Sequence, residues 1–336
     1  MFKPRTAQII IVCLVIIFLT SSCAMFNNGE QNQNLSTGLE QANKETRKIN
    51  IGYKKHIAYI PFFVAMDKGF FSNNNLAVEP IIFESTNQML GSLVAGQIDS
   101  VIGGANLPTI LSLAEKSPDS LKIFSETKTS DDGLLTCAMT KKNSDINNLK
   151  NLKGKKVAVW PGGFSLIWLE DTLNTVGLKK SDIKEIVLES NLQLAALESG
   201  QVDALFTIEP LCTFGVNKGI GKIIYFNPLK NTTEIFAASV ISNNFIANSG
   251  QATENIIKAT EDAIEFMKNN PEESLAIIAK WTDYDEKLIK GIDIPKYSKQ
   301  TEIDVEAIED LAEKLYEKKL LENKIDINGL IVKKCW

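Results

Sequence analysis

One phrase occurs twice in this chain: Leu93-Val94-Ala95-Gly96-Gln97-Ile98-Asp99, and again Leu197-Glu198-Ser199-Gly200-Gln201-Val202-Asp203. Each copy closes an amphipathic segment and opens an apolar run, Ser100-Val101-Ile102 and Ala204-Leu205-Phe206. The flanks agree as well. Ile49 to Tyr53 aligns with Lys156 to Trp160, and Gly69 aligns with Gly177 at the end of each following helix. A chain that repeats itself in this way is one α/β unit built twice, which implies two lobes with a cleft between them.

The repeated residues have a structural account. The leucine ends an apolar helix face, the glycine takes a positive-φ cap, and the aspartate sits in the corner before the strand. They are expected to build each lobe rather than touch a ligand. Their value is positional, because ligands of open α/β sheets bind outside the carboxyl ends of the strands, near helix N-termini.

The pattern predicts, for the first lobe, strands at 49–53, 78–83 and 100–103, with helices near 61–68, 87–95 and 107–116. The second lobe repeats the order: strands 156–160, 185–189 and 204–208, with helices near 165–176, 191–199 and 210–218. Little alternation marks these strands, as expected when helices cover both faces of a parallel sheet. Two further apolar runs, Leu134 to Thr140 and Phe236 to Ser242, fit neither repeat and are read as hinge strands between the lobes. From Thr253 onward the sequence turns helical, and these helices are expected to pack on the first lobe. The expected division is 49–133 with 243–336 for lobe one, and 134–242 for the hinge strands and lobe two.

Before the body comes an address. Lys3 and Arg5 precede an unbroken apolar run, Ile9 to Leu19, too short for a membrane span of roughly 20 residues. Leu19-Thr20-Ser21-Ser22-Cys23 then resembles a bacterial lipoprotein signal, with residues 1–22 removed and Cys23 lipidated; Thr20 stands where that motif usually carries leucine. Residues 24–48 are polar and expected to form a disordered tether behind Cys23. The expected location is the outer face of the bacterial cytoplasmic membrane, or the periplasm.

Composition excludes several classes. Removing residues 1–22 takes two positive charges from a net charge of −5, leaving −7, and no basic run suggests nucleic acid. The only arginines are Arg5 and Arg47, both read as outside the fold, so a bound anion must rely on lysine, hydroxyls, backbone N–H groups or helix termini. Cys137, Cys212 and Cys335 lack CxxC spacing, which argues against a disulfide framework and against zinc; Cys137 and Cys212 read as buried small hydrophobes. Neither a metal nor a cofactor is expected.

The body resembles the substrate-binding proteins of ABC transporters in the nitrate/sulfonate/taurine family, whose relatives also bind thiamine-pyrimidine precursors. The resemblance is carried by Gly52-Tyr53, by Pro61 to Phe71, by the two glycine–aspartate corners and, most strongly, by Leu149 to Val159 followed by Pro161-Gly162. It covers roughly residues 49–280. It implies an α/β, two-lobed periplasmic-binding-protein type II fold that closes on a small solute and delivers it to a permease and its ATPase. A monomer is expected, with no catalysis. The rivals are an enzyme on the same fold and a surface sensor or adhesion lipoprotein.

Cleft residues follow from the strand ends. In lobe two, Trp160 is followed by Pro161-Gly162-Gly163-Phe164-Ser165 and a helix, whose free N–H groups and positive dipole end suit an anion. Ser165 is either part of that site or a plain N-cap; Trp160 either stacks on the ligand or packs. In lobe one the matching loop holds Lys54, Lys55, the only histidine, His56, and Tyr59. The second-strand loops offer Thr86 and Asn191; Thr86 or Asn87 in one and Asn191 in the other are expected to cap the next helix without losing access to a ligand. After the third strands come Asn106, beside small glycines, and Glu209, which suits either an amine donor or a helix-start carboxylate role. A sulfonate, nitrate or taurine-like solute is the leading expectation, a thiamine-pyrimidine precursor the alternative.

Overall fold

A computed structural model describes residues 46–129, 133 and 135–333. The leader, Cys23 and most of the tether lie outside them. Among the described residues the strands are β1 (Arg47–Tyr53), β2 (Leu76–Ile82), β3 (Ser100–Asn106), β4 (Leu121–Lys128), β5 (Thr136–Lys141), β6 (Lys156–Val159), β7 (Lys184–Val187), β8 (Ala204–Ile208), β9 (Gly221–Phe226), β10 (Ile235–Ser242) and β11 (Lys296–Tyr297). They form two sheets, ordered β11-β4-β10-β3-β1-β2 and β7-β6-β8-β5-β9.

Apart from β11, the sheets have one plan. A central parallel strand, β1 or β6, sits between two parallel neighbours, and an antiparallel strand follows on the far side of the third. That antiparallel strand is exchanged between lobes. After β4 the chain leaves the first sheet and enters the second as β5; after β9 it returns to the first as β10. The runs read as hinge strands are therefore sheet members. All eight residues of β10 are buried, paired with β3 on one side and β4 on the other. Their apolar character comes from sitting mid-sheet, covered on both faces, and β10 belongs with lobe one.

The crossings themselves lie between β4 and β5 and between β9 and β10. Thr129 N–H donates to the Glu234 carbonyl at 2.9 Å, tying one crossing to the other. Asn227, at φ +46°, clasps the same place. Its Oδ1 accepts from Leu135 N–H at 2.8 Å and Thr136 N–H at 3.1 Å, and its Nδ2 donates to the Gly133 carbonyl at 2.7 Å.

The repeated phrase behaves as the scaffold it resembled. Gly96 and Gly200 adopt φ +71° and +79°, turning each helix end toward its strand. The aspartate then makes a two-point clamp. Asp99 N–H donates to the Asn50 carbonyl, and Asn50 N–H donates to Asp99 Oδ2, both at 2.8 Å. Asp203 and Lys156 repeat the pair, also at 2.8 Å for each bond. This equivalence sets Asn50 against Lys156, one place from the alignment of the flanks, so Lys54 is the counterpart of Trp160.

Two side-chain expectations change. Cys137 of β5 and Cys212 of the helix Leu211–Asn217, which follows β8, form a disulfide, with Cα atoms 6.0 Å apart and both side chains fully buried. They are not free small hydrophobes; the antiparallel position of β5 beside β8 brings them together. Arg47 opens β1 rather than lying outside the fold, and its guanidinium donates to Ser249 Oγ at 3.2 Å, at the strand end away from the cleft.

The C-terminal helices Gly250–Asn269, Pro271–Trp281 and Val305–Glu317 pack on lobe one. Trp281 stacks on Phe63, with centroids 5.6 Å apart and planes at 13°. Within lobe two, the buried Trp168 packs against Trp160 and Phe206.

Candidate functional site

Between the lobes lies a cleft of about 970 Å³. Its lining comes from the loops that follow strand carboxyl ends in both sheets. Every residue singled out from sequence is among its walls: His56, Tyr59, Thr86, Asn106, Trp160, Gly163, Phe164, Ser165, Asn191 and Glu209. What each side chain does there often differs from the expectation.

His56 caps the turn Ile57–Tyr59, its Nδ1 accepting the Ala58 N–H at 3.2 Å. The backbone of Glu209 faces it from across the cleft. Burial and the neighbouring Lys54 charge push its pKa down to about 4, so it is neutral at physiological pH. Tyr59 is buried beside it, beneath Gly104, where a Cβ would come within 2.8 Å of the tyrosine ring. Burial raises the Tyr59 phenol above its ordinary range, against a smaller opposing effect from the nearby Thr86 side chain.

Three caps are reassigned. Ser85, not Thr86, caps its helix, with Oγ accepting from Gln88 N–H at 3.2 Å. Asn191 lies inside the helix Ser190–Ser199, which has no side-chain cap. Asn106, read as a contact, caps its own helix, its Oδ1 accepting from Thr109 N–H at 3.2 Å and Thr109 Oγ1 at 3.0 Å.

Ser165 is turned away from both of its expected roles. Its hydroxyl is buried and directed at two carbonyls, Trp160 at 2.6 Å and Gly162 at 2.7 Å. The helix Gly163–Asn174 consequently starts without a side-chain cap. Its first N–H groups and the positive end of its dipole remain a donor set facing the cleft.

Glu209 is 1% exposed. Its Oε2 accepts the Thr213 N–H at 3.0 Å and its Oε1 the Thr213 hydroxyl at 2.7 Å, the helix-start role. Burial still dominates and raises its pKa to about 7, with a further upward push from Asp293.

From sequence, Lys54 reads equally as positive charge for the cleft or as part of a solvated face. It lines the cleft half-buried, and among the described residues no ion pair or hydrogen bond satisfies its ammonium. Burial lowers its pKa, while the Glu84 and Glu189 carboxylates, one from each lobe, pull it back up. Its register with Trp160 was the signal that could have found it. Lys55, by contrast, is paired with Asp283 at 3.0 Å on the surface. Tyr284, Leu315 and Leu320 also line the cleft, from C-terminal segments that the repeat could not place. Among the described residues no cluster of His, Cys, Asp and Glu could hold a metal ion.

The family described as NMT1/THI5 like matches residues 56–274. The chain belongs to that family. A Bacillus subtilis (strain 168) protein named "Putative aliphatic sulfonates-binding protein" is 25% identical to this NMT1/THI5-like chain over 334 residues, covering 96% of it and 93% of the relative. Among solved structures, the periplasmic aliphatic sulphonate binding protein SsuA from Escherichia coli is similar, with a TM-score of 0.71 and 21% identity. That match covers 85% of this chain and 92% of SsuA. The alkanesulfonate-binding protein SsuA from Xanthomonas axonopodis pv. citri, bound to MOPS, gives a TM-score of 0.68 at 18% identity, over 86% of this chain and 99% of that one. The fold is that of the periplasmic binding proteins, two α/β lobes around a cleft.

Proposed function

We propose that this chain is the extracytoplasmic solute-binding protein of an ABC importer, capturing a small organic anion of the sulfonate type and presenting it to a permease. The observation that carries the reading is Lys54, a half-buried cleft cation without an ion-pair partner among the described residues, opposite the uncapped helix start at Gly163. A sulfonate would take a charge from one lobe and backbone donors from the other, so binding would hold the lobes together. Relatives and structural neighbours with sulfonate-binding names support the same class.

Binding without chemistry fits the only histidine. One ring nitrogen already accepts the Ala58 N–H, and burial holds the ring well below its ordinary pKa, which leaves it poorly placed to serve as a base. The disulfide fits an oxidising compartment. We read Cys23 as the lipid anchor and the protein as a monomer on the outer membrane face.

A second reading has its own support. The buried Glu209, with Tyr59, Trp160 and Phe214 around the cleft, also suits a flat aminopyrimidine. A thermal-shift and calorimetric screen of the full chain, purified in detergent, separates the two. Alkanesulfonates should raise the melting temperature; stabilisation by a pyrimidine precursor alone would replace the sulfonate assignment, and no hit in either class would remove both.

A further inference from the structure

Two C-terminal segments beyond the residues matched by the family description reach back into the cleft. The family match ends at residue 274, whereas Tyr284, Leu315 and Leu320 all line the cavity. The first segment leaves lobe one at Trp281 and rests on the lobe-two helix Leu211–Asn217. There the Tyr284 ring meets Phe214 edge-on at 5.5 Å, and Asn217 Nδ2 donates to the Leu288 carbonyl at 3.4 Å.

The second segment arrives from the other side. The helix Val305–Glu317 is rooted on lobe one, where Asp304 N–H donates to Glu126 Oε2 at 3.1 Å and Ile308 and Leu311 are buried. Its far end crosses to lobe two. Lys314 Nζ donates to the Thr232 carbonyl at 2.9 Å, and Lys318 Nζ lies 3.3 Å from Glu170. Lys319, at φ +59°, then reverses the chain, and Leu320 N–H returns to the Leu315 carbonyl at 2.8 Å. The Leu320 side chain comes to lie on Gly163, where a Cβ would stand 2.6 Å from its Cδ2.

Leu320 is 40% exposed, yet it is held against the start of an uncapped helix. It offers those N–H groups no acceptor and gives the cleft an apolar wall beside them. A bare anion at that helix start would leave the leucine facing water. An anion carrying an alkyl group would satisfy both surfaces. We propose that Leu320 and Tyr284 are specificity-determining residues that require the bound anion to carry an apolar portion and set its length. This rests on the sulfonate reading above and deepens it.

The test is calorimetric titration of the full chain in detergent with nitrate and with methane-, butane- and octanesulfonate. It compares wild type with Leu320→Ala, Leu320→Trp and Tyr284→Leu. Each methylene buried on the wall is worth about a fourfold gain in affinity. Leu320→Ala should weaken butanesulfonate at least about fivefold while changing methanesulfonate less than about twofold, on the same reasoning. Leu320→Trp should shift the preferred chain length shorter, and Tyr284→Leu should change the length preference rather than all affinities together. Wild type should prefer butanesulfonate to nitrate. Equal changes across the series, or none, overturn the inference while sparing the sulfonate assignment; a wild type that binds no sulfonate overturns both.

Discussion

The His56 ring lies against the backbone of Glu209, so the only histidine of the chain sits where the first lobe meets the second. Burial displaces the two groups in opposite directions, His56 down to about 4 and the Glu209 carboxyl up to about 7. The unfolded histidine takes its proton near pH 6.5, so its contribution to stability is lost as pH falls from there toward 4. The unfolded glutamate gives up its proton near 4.5, so its contribution is lost as pH rises from there toward 7.

Glu209→Gln should therefore gain stability relative to wild type as pH rises from 4.5 to 7, by at most about 3 kcal/mol. His56→Gln should gain relative to wild type in the opposite sense, as pH falls from 6.5 toward 4. Urea denaturation at intervals across this range measures both. Variant and wild-type curves that stay parallel would count against the assignment.

Lys54→Met removes the cleft ammonium while keeping much of its apolar stem. If that ammonium meets the anion, sulfonate affinity should fall about 10- to 100-fold, the worth of a charged hydrogen bond. The melting temperature without ligand should hardly change, since no ion pair is broken. Titration calorimetry reads the first quantity and circular dichroism the second; undiminished affinity would move the anion elsewhere in the cleft.

Removing the Cys137–Cys212 bridge should cost about 4 kcal/mol by loop closure over its 75-residue separation. The paired Cys137→Ala, Cys212→Ala variant compared with wild type by urea denaturation gives the value. A cost below about 1 kcal/mol would mean that the bridge adds little to lobe two.

Asn227→Gly keeps the left-handed backbone and deletes the three side-chain bonds that clasp the crossing. Unfolding free energy should fall by about 2–4 kcal/mol, near 1 kcal/mol per bond. Small-angle scattering should also show a wider spread of lobe separations. An unchanged scattering profile would confine Asn227 to a role in stability.

What sequence made legible was whatever repeats locally. The strand–helix order, the Gly96 and Gly200 turns and the cleft position of all ten candidate residues follow from where each strand ends. The directions of single hydroxyls do not. Ser165 donates backward to Trp160 and Gly162 because burial leaves those carbonyls as its nearest acceptors, a choice no spacing encodes. Strand exchange was hidden for another reason: β5 and β10 each pair with strands remote in the chain, so their apolar runs read as links. The disulfide and the Leu320 wall depend on the same long-range placement.

The Asp99–Asn50 and Asp203–Lys156 clamps separate chassis from cargo surface. Each ties down a central strand ahead of its carboxyl end, at Asn50 midway along β1 and at Lys156 at the start of β6. Everything beyond the carboxyl ends is then free to vary without disturbing strand register. A graft of the post-strand loops from a relative with another preference should fold on these clamps, which makes the two lobes separately reprogrammable halves of one receptor.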